Sequence, residues 1–92
     1  MSSSVLVAAN AGDNPSLSAQ FSIQACAEPG VMPRVLELFA KRGLVPQRWC
    51  SAAAATLSIE IRIAGLGRDT VDYIASCMRQ IVGVDAVLTT FE

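Results

Sequence analysis

The chain has 92 residues and a formal net charge of −1, from 7 basic and 8 acidic side chains, which leaves room for one folded domain but not for a catalytic domain with a separate regulator. At 52% hydrophobic and 16% charged it is too apolar for a disordered tail, and its charge balance gives no electrostatic footprint for nucleic acid or anionic lipid. Histidine is absent, which removes the commonest general base, the commonest metal ligand and any Ser-His or Cys-His pair.

Three cysteines, Cys26, Cys50 and Cys77, leave one unpaired in any disulfide scheme and are too widely spaced for a CxxC site. Buried free thiols are the expectation, with no metal and no cofactor. No stretch supplies the roughly 20 apolar residues of a membrane-spanning helix. The start, Met1 to Ala9, lacks the basic region of a secretory signal, so a cytoplasmic protein is expected.

Residues 1–18 mix small polar residues with the breaker cluster Asn10-Ala11-Gly12-Asp13-Asn14-Pro15, and read as a flexible tail ahead of a domain over residues 19–92. From Gln20, the residues Phe21, Ile23 and Ala25 alternate with Ser22, Gln24 and Cys26, the period of a strand that buries one face. Glu28-Pro29-Gly30 turns the chain. Val31, Val35 and Phe39, with Met32 and Leu36, then share a helical stripe that predicts a helix over Val31 to Arg42. Pro33 fits only near its first turn, Lys41 and Arg42 complement the negative end of its dipole, and Gly43 suits the left-handed position past it.

Val45, Gln47, Trp49 and Ser51 alternate as a second strand, whose Pro46 argues for a sheet edge. Leu57, Ile59, Ile61 and Ile63 fall on one face of a third strand, with Ser58, Glu60 and Arg62 on the other. The Ala52-Ala53-Ala54-Ala55 connection carries no Gly, Asn or Asp turn signal and alanine prefers helix, and it is read as a short hairpin. Asp69 or Thr70 is positioned to cap a second helix with Val71, Ile74, Ala75, Met78, Ile81 and Val82 at helical spacing, closed by Gly83. Val84 to Phe91 reads as the last strand. The order βαββαβ predicts an α+β, ferredoxin-like domain, a four-stranded antiparallel sheet with two helices on one face.

The loop Ala27-Glu28-Pro29-Gly30 is the most informative stretch. Glycine lets a ligand approach the backbone, and a helix N-terminus offers free N–H groups and partial positive charge suited to a carboxylate. The plainer alternative is that Pro29-Gly30 only makes a tight turn. Pro29-Gly30-Val31-Met32, then Val35, then Leu38-Phe39-Ala40-Lys41-Arg42, and later Gln80-Ile81-Val82-Gly83-Val84, resemble the ACT domain over about Gln20 to Glu92. The likeness extends to the short regulatory subunits of acetolactate synthase.

That resemblance implies a non-catalytic effector domain of branched-chain amino-acid biosynthesis that dimerises, extends its sheet across the partner and regulates a synthase catalytic subunit. It implies an effector site at Ala27, Glu28, Pro29, Gly30, Val31 and Met32 for a branched-chain amino acid. In the family the residue two before the Pro is commonly Asn or Asp, holding the effector's amino group; here it is Ala27, whose methyl group accepts no hydrogen bond. An ammonium desolvated without a partner costs on the order of 1 to 3 kcal/mol, so either Glu28 or a second subunit replaces the anchor, or the member has lost its effector. A stand-alone ACT sensor or dimerisation module without a synthase partner is the alternative.

Arg48 and Trp49 on the edge strand are candidates for a partner interface, residue types enriched at binding hot spots; the alternative is that Trp49 covers the chain's own core. Other functions of the same topology fit poorly. An acylphosphatase-like loop would need an Arg before Gly30, RNA binding would need exposed aromatics on the central strands, and a metallochaperone would need CxxC where only Cys26 stands.

Overall fold

The computed structural model describes residues 18–91. Its elements are β1 (Ser18–Cys26), α1 (Val31–Ala40), β2 (Arg48–Ala53), β3 (Thr56–Ala64), α2 (Arg68–Arg79) and β4 (Val84–Phe91). The sheet runs β2-β3-β1-β4, antiparallel at each pairing, with β1 and β3 central. This is the expected βαββαβ ferredoxin-like fold.

Alternation fixes which face is buried. Ala19, Phe21, Ile23 and Ala25 of β1 and Leu57, Ile59, Ile61 and Ile63 of β3 are buried, and they pack against Val31, Val35 and Phe39 of α1 and Val71, Ile74, Ala75 and Met78 of α2. The register sets Phe21 opposite Ile61 and Ile23 opposite Ile59, so apolar residues stack in cross-strand pairs. Phe21 meets Phe39 edge to face, with centroids 5.8 Å apart and planes at 77°, which ties α1 to the sheet centre. Among the described residues no polar or charged side chain is buried; the other sheet face carries them.

Several boundaries depart from the sequence reading. β1 opens at Ser18, because Ala19 joins the buried row opposite Ile63; the rest of the expected tail, residues 1–17, lies outside the described residues. The first helix ends at Ala40 and not at Arg42, and the amides of Arg42 and Gly43 turn back onto Phe39 and Ala40 in a tighter last turn. Arg42 still serves that terminus, since Nη1 donates to the Leu38 carbonyl at 2.9 Å, and Gly43 takes the left-handed φ of 68°.

β2 starts at Arg48, three residues beyond Val45, and leaves Pro46 outside the ladder; it gains Ala52 and Ala53 instead, so Ala54-Ala55 alone turn the hairpin. At the second helix, Gly67 in extended conformation is the N-cap, with no side-chain cap bond, and Asp69 sits in the first turn, where its charge suits the dipole. Ile81 and Val82 fall past the helix end; Ile81 packs on the core and Val82 is 80% exposed. The thiols also differ from expectation: Cys26 and Cys50 are exposed and Cys77 half-buried, because each lies on the polar side of its element's alternation. β4 has the expected bounds.

Candidate functional site

The β1–α1 loop is built by hydrogen bonds that pin it to the connection between α2 and β4. The Cys26 amide donates to the Gly83 carbonyl at 2.7 Å, the Glu28 amide donates to the Cys26 carbonyl at 2.8 Å, and the Val31 amide closes a turn onto the Glu28 carbonyl at 3.2 Å. The pairing of β1 with β4 shifts register between Gln24 and Ala25, so that Ala25 faces Val84 and Asp85 is the extra residue. This bulge swings Gly83 against the loop. Gly83 has φ of 100°, and a Cβ placed there would lie 3.2 Å from Val31 Cγ2 and 3.6 Å from Glu28 Oε1. Only glycine meets both demands without strain.

Four N–H groups at a helix start lack intrahelical partners. In α1 they belong to Gly30, Val31, Met32 and Pro33; proline has none and Val31 serves the turn, so Gly30 and Met32 keep theirs for an external acceptor. No acidic residue stands in the first turn to compete. Arg34 folds back over this end, bringing Nη1 within 2.6 Å of where a Gly30 Cβ would be. A long side chain on a helix leans toward the preceding turn, so a residue four past the cap covers it. The loop therefore carries a carboxylate against Gly83, a guanidinium against Gly30 and two outward amides.

Of the site residues expected from sequence, Ala27, Glu28 and Pro29 are exposed, Gly30 and Met32 are half-buried, and the Val31 side chain is fully buried in the core, so that only its backbone borders the loop. Arg34 and Gly83 were missed. The signal for Arg34 was its spacing of four from Gly30, and for Gly83 the left-handed glycine before a strand. The sheet separates the two residues expected at a partner interface. Trp49 faces the helices and packs on the core, while Arg48 faces the open side, so what they share is the β2 edge. A separate apolar groove of about 610 Å³ lies outside α1, lined by Leu36, Phe39, Leu44, Val45 and Pro46, and meets the loop region only at Pro33 and Arg34.

A four-stranded split-βαβ sheet with two helices on one face defines the ferredoxin-like class, a fold that serves many functions. The model of the ACT-like domain family matches residues 12–91, and the chain belongs to that family. Its members are regulatory modules that bind small molecules. No curated protein matches. Among solved structures, the chain is similar to the ACT domain from GTP pyrophosphokinase of Chlorobium tepidum, at 15% identity over 79% of this chain and 96% of that one, with a TM-score of 0.71. It is similar also to an uncharacterized protein from Thermotoga maritima, at 17% identity over 79% and 92% of the two chains, with a TM-score of 0.65. The C-terminal domain of the MgtC protein from Mycobacterium tuberculosis gives a TM-score of 0.67 at 11% identity, over 90% and 92%. These likenesses concern the fold. No helix among the described residues is long and apolar enough to cross a membrane.

Proposed function

We propose that this chain is a non-catalytic regulatory protein that works as a dimer, takes a branched-chain amino acid at the β1–α1 loop and modulates an acetolactate synthase as its small subunit. One observation carries the effector reading: Glu28 and Arg34 give the loop an acid and a base around the outward amides of Gly30 and Met32. An amino-acid zwitterion fits that set, its carboxylate on the amides and the Arg34 fork, its ammonium on Glu28. Glu28 thus takes the part that Ala27 lacks the atoms to play. The aliphatic side chain of the effector would then point away from the polar loop toward a second copy.

The β2 edge supports the dimer. The Ala54 amide donates to the Thr56 carbonyl in the register of the β2–β3 ladder, so by strand alternation Arg48, Cys50 and Ala52 bond β3, and the backbone groups of Trp49, Ser51 and Ala53 point outward from the sheet. An effector held between two copies changes the output only if it prefers one arrangement of the dimer over another. The synthase assignment rests on the Pro29-Gly30-Val31-Met32 and Leu38-Phe39-Ala40-Lys41-Arg42 resemblance. The second reading, a stand-alone ACT sensor, draws support from the similar ACT domain of a GTP pyrophosphokinase, since the same fold serves a protein of another kind. Affinity purification of the tagged chain from its own host, with and without valine, separates them. A synthase catalytic subunit in the eluate is the expected result, and an eluate without it under both conditions overturns the synthase reading.

A further inference from the structure

The two edges of the sheet are not equivalent. The Cys26 amide donates to the Gly83 carbonyl at 2.7 Å, so even-numbered residues of β1 turn their backbone groups toward β4. Register sets Gln20, Ser22 and Gln24 opposite Thr90, Leu88 and Ala86, which leaves the backbone groups of Val87, Thr89 and Phe91 pointing outward. These are the groups that a further strand would pair with.

The second helix holds that edge from both of its ends. Arg79, in the last turn of α2, extends Nη2 to the Val87 carbonyl at 2.9 Å, in the middle of β4. Arg68, the first residue of α2, lies over the Phe91 ring, 4.3 Å from its centroid. A strand arriving at β4 needs the Val87 carbonyl as an acceptor, so it must first displace a charge-assisted bond. The bulge at Asp85 adds a bend and an exposed carboxylate just ahead of Val87. The β2 edge differs: all six of its residues pair with β3 without a register shift, and it ends in the small neutral run Ser51-Ala52-Ala53.

We propose that Arg79 closes the β4 edge to strand addition, so that copies of this chain meet through β2 alone and assembly stops at two. Closure of β4 stands on the Arg79 contact; the count of two rests also on the β2 dimer of the proposed function. Two copies joined at β2 keep only their β4 edges free, and Arg79 prevents those from growing into a longer sheet.

The test is sedimentation of the full chain with Arg79→Met and with Arg79→Gln, each alone and together with Ser51→Pro, which blocks β2. In the Ser51→Pro background either Arg79 substitution is expected to turn a monomer into a dimer. Alone, each is expected to give species larger than a dimer that grow with protein concentration. Hydrogen exchange locates the contact: the Val87 and Thr89 amides are expected to exchange about tenfold or more slowly in the new assemblies. A monomeric wild type contradicts the β2 dimer and not the closure of β4, since Arg79→Met is then expected to dimerise through β4. Unchanged mass in folded Arg79→Met and Arg79→Gln chains in both backgrounds, or association that leaves Val87 and Thr89 exchange unchanged, overturns the proposal.

Discussion

Gly83 and Arg34 shape the β1–α1 loop. Gly83 combines a φ of 100° with a Val31 methyl 3.2 Å from its absent Cβ, so Gly83→Ala brings backbone strain and a tight contact together. A destabilisation of about 1 to 3 kcal/mol is expected from such a position, read as a lower midpoint in urea with an unchanged slope. An equal midpoint would mean that the loop yields freely. Glu28 and Arg34 are exposed, and their substitution leaves the core untouched. Glu28→Gln and Arg34→Ala are each expected to weaken valine binding at least tenfold by calorimetry, as charge-assisted bonds to the two ends of a zwitterion are lost. Ala27→Asn is expected to strengthen it, because an amide oxygen returns beside the ammonium. Unchanged affinity in both Glu28→Gln and Arg34→Ala would remove the loop from the binding account.

The strands and helices were legible where burial imposes a period. β3 and β4 kept the bounds that alternation suggested to within a residue, and Val31, Val35 and Phe39 formed the buried stripe that their spacing implied. Legibility failed where backbone geometry governs: Val45 and Pro46 alternate correctly with Trp49 yet lie outside β2, since Pro46 has no N–H for a ladder. The cap of α2 moved from Asp69 or Thr70 to Gly67, whose extended backbone ends the turn after β3 without a side-chain bond. Of the candidate site, the loop itself was readable from Pro29-Gly30, but Glu28 against Gly83 depends on a β-bulge that no local pattern announces. Edge geometry makes its own prediction. Ser51 points its amide outward from β2, so Ser51→Pro keeps the β2–β3 ladder while blocking a second copy. Sedimentation is expected to show a monomer with unchanged circular dichroism; a persistent dimer would move the interface away from this edge.

For the whole molecule, one core holds every element, so the chain has few places to store a change of state. Among the described residues the helices cover one sheet face, and the loop, the β2 edge, the open face and the groove outside α1 are surfaces open to ligands and partners. Under the proposed function, regulation in so small a body acts between copies, with a ligand at the loop altering how two sheets or a partner subunit meet. The most direct test of that account is an amide NMR titration of the full chain with valine. The account predicts saturating shifts at Gly30, Met32, Arg34 and Gly83. Absence of a saturating response at these four residues to valine, leucine and isoleucine alike would contradict it.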